Sequence, residues 1–241
     1  MAINVTVWGE NVHEEREEEV RRRYPEGMHG QIARGLGDDL GERVRVRTAT
    51  LQEPEHGLTE KVLAETDVLT WWGHAAHEEV SDEVVARVHE RVLGGMGLLV
   101  LHSAHFSKIF RVLMGTTCTL NWRDGGEREL VWTIEPSHPI AAGVPNPLVI
   151  EEQETYGEPF GIPAPDELVF VSSFGGGDVF RSGCCFRRGR GRVFYFSPGD
   201  QDYPVYYHEG VRRVLANAVL WAAPVGGPGV PLSNAHTPIT W

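Results

Sequence analysis

Long apolar runs are missing from this 241-residue chain. No stretch reaches the roughly 18 consecutive apolar residues of a membrane-spanning helix. The opening MAINVTVWGE carries neither a basic leader nor an extended apolar core, so neither export nor membrane attachment is expected. Cysteine is scarce as well: Cys118, Cys184 and Cys185 form an odd set without Cys-x-x-Cys spacing. That argues against a disulfide framework and a thiolate zinc knuckle, and it fits a reducing cytoplasm. The Cys184–Cys185 pair lies in a short apolar segment and reads as packing. Positive charge is in deficit, with 22 basic against 34 acidic residues and a formal charge of -12. Such a surface repels a phosphate backbone, so nucleic acid is not an expected partner. A phosphate loop is missing too. GGGDVFRSG has the glycines but no Lys-Ser/Thr and no following helix, so it reads as a turn and no nucleotide cofactor is expected.

What is present is an α/β rhythm. INVTVW (3–8), a helix near 28–39, RVRVRTA (43–49), a short helix near 59–65 and DVLTWW (67–72) alternate in the manner of a parallel sheet. Ser81 then caps a helix in which Val84, Val85, Val88 and Val92 recur at three- and four-residue spacing. MGLLVL (96–101) and a helix near 104–114 follow. After Gly115 the pattern changes to strands without helices, ELVWTI, PLVI, ELVFVSSF, DVFRSGCCF and RVFYFS, which make a β-rich annex. A final amphipathic helix near 209–222 closes the unit. The expected organisation is one domain over 1–224 and an extended Gly/Pro-rich tail over 225–241, with Trp241 as a docking residue and a homo-oligomer as one possible assembly.

The chemistry-bearing residues gather at strand ends. Glu10 and His13 follow the first strand, His74 and His77 the third, and His102 and His105 the fourth, each pair spaced i, i+3. In an open parallel sheet, ligands bind outside the carboxyl ends of the strands, so these residues should meet in one cleft. Clustered imidazoles suit a borderline metal such as zinc or manganese, or proton transfer near neutral pH. Glu10, Glu14 and Glu154 can complete such a set. The plainer alternative is that the rings hold loop backbone in place. His29 begins the first helix near the same rim, and a neutral ring is expected there. Ser103 lies in a strand-turn-helix element that resembles a nucleophile elbow, although the flanking Gly-x-Ser-x-Gly is absent. EEQETYGEPF, with Glu151, Glu152, Glu154 and Glu158 around Tyr156, reads as an acidic loop near the cleft. Arg181 could bind an anion or a sugar hydroxyl, or pair with an acid. Trp8, Trp71 and Trp72 at strand ends could stack on sugar faces.

The runs VWGENVHEE, YPEGMH, WWGHAAHEEVSDEVV, GLLVLHSAHFSKIFRVLMGTTC, TYGEPFGIPAPDELVF, VFRSG and FYFSPG resemble the ThuA-like, trehalose-utilisation family over about residues 4–222. The resemblance implies a flavodoxin-like, class I glutamine amidotransferase-like three-layer α/β sandwich with a parallel central sheet and a β-rich C-terminal extension. It also implies a trehalose-like disaccharide, or the 3-keto derivative formed by a partner sugar dehydrogenase, as substrate. The amidotransferase nucleophile would occupy the turn His102-Ser103-Ala104, where this chain has no cysteine, so glutamine hydrolysis by that route is excluded. The chain departs from the family at Pro198-Gly199-Asp200-Gln201, where relatives tend to read Pro-Gly-His-Glu; if that histidine carries protons or metal in the family, Asp200 must stand in for it or the chemistry is altered.

The expected site follows from both readings. His102, His105 and Ser103 are the catalytic candidates; Glu10, His29, Trp72, Lys108, Glu154, Tyr156, Arg181 and Asp200 are the substrate-binding candidates; His13, His74 and His77 are the metal candidates. An enzyme acting on a sugar or keto-sugar, as a lyase, isomerase or hydrolase, is one outcome. A non-catalytic sugar-binding or regulatory protein that keeps the cleft is the other.

Overall fold

The computed structural model describes residues 2–225. Most of the tail expected over 225–241, Trp241 included, lies outside the described residues. The strands are β1 (Ile3–Gly9), β2 (Val44–Thr50), β3 (Val68–Trp72), β4 (Gly97–Leu101), β5 (Asn121–Thr133), β6 (Leu148–Gly157), β7 (Glu167–Phe174), β8 (Val179–Arg188) and β9 (Gly191–Phe196). The helices are α1 (Val12–Arg16), α2 (Glu18–Arg23), α3 (Gly27–Leu40), α4 (Glu60–Ala64), α5 (Asp82–Gly94), α6 (Lys108–Met114) and α7 (Glu209–Ala222).

All nine strands form one sheet in the order β2-β1-β3-β4-β9-β8-β7-β5-β6. The first five are parallel and the rest antiparallel. The annex is therefore an outward continuation of the central sheet, and its last strand, β9, returns to complete the parallel half. Five parallel strands in this order are the flavodoxin-like arrangement.

Side chains alternate across the parallel strands, and the two resulting faces are buried separately. Val5, Val7, Leu99 and Leu101 join α3 and α7 in one core layer. Trp8, Leu98 and Val100 join α5 and α6 in the other. β3 and β4 are buried at every position, which explains their unbroken apolar composition. β2 is an edge strand, and its Arg45 and Arg47 remain outside the core.

Helix ends agree with local chemistry. The hydroxyls of Thr59, Ser81 and Ser107 accept from the N–H three residues on, capping α4, α5 and α6. The single helix expected near 104–114 is divided: a 3₁₀ turn spans His102–Phe106, and Ser107 then starts α6. Two helices that the sequence pattern does not announce, α1 and α2, are rich in charge and bury mainly Val12, Glu14 and Val20. The acidic stretch expected as a loop is the second half of β6. Glu151 and Glu152 face solvent there, while Glu154 and Tyr156 are buried.

Candidate active site

The turn after β4 sets the centre. His102 adopts a left-handed backbone conformation, φ 52°, which is costly for a residue with a Cβ and persists only where the surroundings enforce it. The residue lifted over the sheet by this elbow is thus His102. Ser103, expected there as a nucleophile, instead donates its buried hydroxyl to the Gly73 carbonyl at 2.9 Å.

The His102 ring is fully buried. Nδ1 lies 2.7 Å from the Ser197 carbonyl, which can only accept, so Nδ1 carries a hydrogen. Nε2 faces three oxygens: Glu154 Oε2 at 3.1 Å, the Tyr156 hydroxyl at 3.2 Å and Asp200 Oδ2 at 3.4 Å. The Tyr156 ring lies flat against the imidazole, centroids 4.8 Å apart. Burial alone would push His102 down, but the hydrogen bonds and charges of Asp200 and Glu154 overcome it and hold the ring up to about 10. Asp200 answers in kind: burial raises it, and the His102 contact outweighs burial and brings it below its usual value.

The neighbouring histidines are shifted the other way. Burial, helped by surrounding positive charge, lowers His74, takes His77 down to about 4 and His105 down to about 3. His105 Nδ1 donates to the Cys118 carbonyl at 2.7 Å, so its Nε2 keeps a lone pair. His74 is tied differently. His13 Nδ1 lies 2.5 Å from the Glu17 carboxylate and so donates; in the neutral form of His13 its Nε2 then accepts from His74 Nδ1 at 2.9 Å. His74 Nε2 is left with its lone pair, on a ring that lines the cavity.

That cavity, of about 410 Å³, opens beyond the carboxyl ends of β3, β4 and β9. His74, His77, Ser103, His105, Glu154, Tyr156 and Asp200 all line it, and His102 lies against its inner wall. Residues from separate strand ends do meet, as the strand-end argument expects.

Several candidates are placed elsewhere. Glu10 is buried and accepts from the Ala75 and Ala76 N–H groups at 2.6 and 3.1 Å, so it shapes the His74 turn from behind. Trp72 is buried and donates to the Gly199 carbonyl at 2.9 Å, steadying the segment that carries Asp200. Trp8 and Trp71 stack on each other inside the core and present no face to a sugar. Lys108 reaches the Val80 carbonyl and Asp82, outside this cavity. Arg181 is held by Glu158 and the Phe160 carbonyl. His29 packs beside Gly9 and does not line the cavity. Glu14 accepts from the Met28 N–H.

Of the expected metal set of His13, His74 and His77, His13 and His74 hydrogen-bond each other, and the three do not form a convergent group among the described residues. Among the described residues, the three potential ligands that do converge are His102, Glu154 and Asp200, with ligand atoms within 4.8 Å of one another. Sequence reasoning also passed over Glu17, Phe106, Trp122, Asp124 and Asp202. No spacing marks them; Trp122 and Asp124 lie in NWRDGG, a stretch without alternation.

The family described as ThuA, trehalose utilisation, matches residues 4–222. The chain belongs to the ThuA family. No curated protein matches it in sequence. Among solved structures, a protein from Parabacteroides merdae described as ThuA-like superposes with a TM-score of 0.64 at 15% identity, covering 92% of this chain and 90% of that one. A cytoplasmic protein from Salmonella typhimurium gives 0.54 at 14% identity over 81% and 87%. A Thermoplasma acidophilum protein described as part of a GMP synthase gives 0.52 at 12% identity over 91% and 93%. At such identities the likeness is one of fold, and it agrees with the amidotransferase-like architecture of this ThuA-family chain. Family membership gives the chain a carbohydrate-related role. Among the described residues, no helix is long and apolar enough to cross a membrane.

Proposed function

We propose that this protein acts on a trehalose-like disaccharide or its 3-keto derivative by acid–base chemistry, with His102 as the charged acid and His74 as the neutral base. The observation that carries this reading is the opposed protonation of imidazoles around one cavity. His102 is held charged between Glu154 and Asp200, while His74, His77 and His105 are held neutral. Environments that push titratable groups apart are how a site runs acid and base chemistry at one pH.

A ketone at C3 of a sugar acidifies the C–H at C2. His74 Nε2 would take that proton, and the C–H electron pair would move into the enolate. The His102 Nε2–H, acting through the Tyr156 hydroxyl that lines the cavity, would stabilise the charge developing on the carbonyl oxygen. Collapse of the enolate expels the glycosidic oxygen from C1, which leaves with the proton that His74 took from C2. Glu17 and His13 hold His74 in the required tautomer, as the third group of a nucleophile–base chain does. A sugar dehydrogenase is the class of enzyme that would supply the keto-sugar.

A second reading has its own support. His102 turns Nδ1–H to a carbonyl and Nε2 to two carboxylates, an arrangement common where a histidine binds a divalent cation such as zinc or manganese. Incubation of wild type, His102→Gln and His74→Gln with trehalose and 3-ketotrehalose, with products followed by chromatography, tests the proposal. Each variant should lose at least about 100-fold in turnover. Undiminished turnover in both removes the mechanism. Sugar binding without any product favours the non-catalytic binder, and activity abolished by chelation and restored by zinc or manganese favours the metal.

A further inference from the structure

One aromatic residue that lines the cavity is largely exposed. Trp122 is 65% exposed, although an indole exposes a large apolar surface at a cost. It pairs across the β5–β6 ribbon with Tyr156, and directly paired residues project to the same face. Tyr156 in turn lies flat on His102. Trp122 therefore stands on the strand next to that of the side chain that covers the proposed acid, at the spacing of neighbouring strands, about 5 Å. Arg123, beside it, is fastened to Glu127 and Asp178, which anchors this end of the ribbon. Phe106, 38% exposed, lines the same cavity and is held by the Arg111 guanidinium over its ring and by the edge of His77.

The polar lining is acidic. Asp124 and Asp202 join Glu154 and Asp200, and no lysine or arginine lines the cavity among the described residues. Carboxylates accept from sugar hydroxyls, while a phosphate ester would meet like charge without a lysine or arginine in the lining to receive it. An exposed indole beside hydroxyl acceptors matches the apolar face and polar rim of a pyranose ring.

We infer that Trp122 is the platform for the second ring of an uncharged disaccharide whose first ring lies against Tyr156 and the His102 corner. This rests on the carbohydrate reading proposed above and adds to it an outer subsite and a charge preference. The indole needs no rearrangement to serve.

Calorimetric titration of the full chain with trehalose, 3-ketotrehalose, glucose and trehalose 6-phosphate tests it, using wild type, Trp122→Ala and Trp122→Phe. Trp122→Ala should weaken trehalose binding about tenfold, leave glucose within about twofold, and leave the melting temperature unchanged because the side chain is exposed. Trp122→Phe should recover most of the loss. Trehalose 6-phosphate should bind wild type at least about tenfold more weakly than trehalose. Equal trehalose affinity in wild type and Trp122→Ala overturns the platform while leaving the carbohydrate reading intact. Phosphorylated sugar bound as tightly as trehalose overturns the charge preference. Wild type that binds none of trehalose, 3-ketotrehalose and glucose overturns the carbohydrate reading and the platform with it.

Discussion

His102 owes its charge to two carboxylates, and each is open to substitution. In Asp200→Asn the ring keeps Glu154 but loses one anionic partner, so its pKa should fall from about 10 toward the ordinary range. An NMR titration of the His102 ring reads this directly; an unmoved ring would mean that Glu154 alone sets it. The opposed shifts also give stability two pH limbs. His77 and His105 have folded values of about 4 and about 3, against roughly 6.5 when unfolded. Below about pH 6.5 the unfolded chain binds the extra protons, so their contribution is complete above that pH and is lost as pH falls. The slope is up to about 1.4 kcal/mol per pH unit for each group. His102 behaves oppositely: its contribution is complete below about pH 6.5 and is lost as pH rises toward 10. Urea unfolding at pH 5, 6.5 and 9 should therefore show His105→Asn flattening the acid limb and His102→Asn the alkaline one. Cys184 and Cys185 pack as their apolar segment suggests, and both are free and buried; burial pushes the Cys184 thiol up to about 12, which makes it a poor nucleophile.

Elements test the packing argument. Ser81→Ala removes the hydroxyl that accepts from the Val84 N–H at the start of α5 and should cost about 1 kcal/mol in a denaturant titration. Gly97 opens β4 where α7 ends, and a Cβ there would meet the Ala222 carbonyl oxygen at 2.5 Å and the Ala222 Cβ at 2.8 Å. Both neighbours belong to a packed helix end, so Gly97→Ala should cost about 1–3 kcal/mol and lower the melting temperature measurably. Element type was legible where periodicity was strong. DVLTWW and MGLLVL stand as fully buried strands, and the valines of α5 mark its inner face. It failed where burial did not write the pattern. α1 and α2 show a run of charges around one or two apolar anchors, which carries no 3.6-residue signal. The later part of β6 places Gln153, Glu154 and Thr155 in succession in buried surroundings, so alternation disappears just where the strand serves the site.

At the scale of the molecule, the single sheet ties the two halves of the chain together. β9 pairs with β4, and α7 covers the face shared by β4 and β9. A fragment ending near residue 116 would carry every element of the first half yet leave β4 as a bare apolar edge without its covering helix. Such a fragment should fail to fold, giving collapsed amide dispersion in NMR or aggregation, whereas the full chain should unfold in one cooperative transition. A well-dispersed fragment spectrum would refute the dependence.

The amino-acid sequence by itself determined the local matters: the alternation of apolar strands with amphipathic helices, the polar residues placed at strand ends, and the family. These are legible because burial on a strand or helix repeats at fixed short intervals along the chain. Only the tertiary structure decided the partners. Glu154, Ser197 and Asp200 reach His102 from β6 and from the segment after β9, and His13 meets His74 and Glu17. Such meetings depend on strand order across the sheet and on which ring nitrogen each oxygen faces. No local period encodes either.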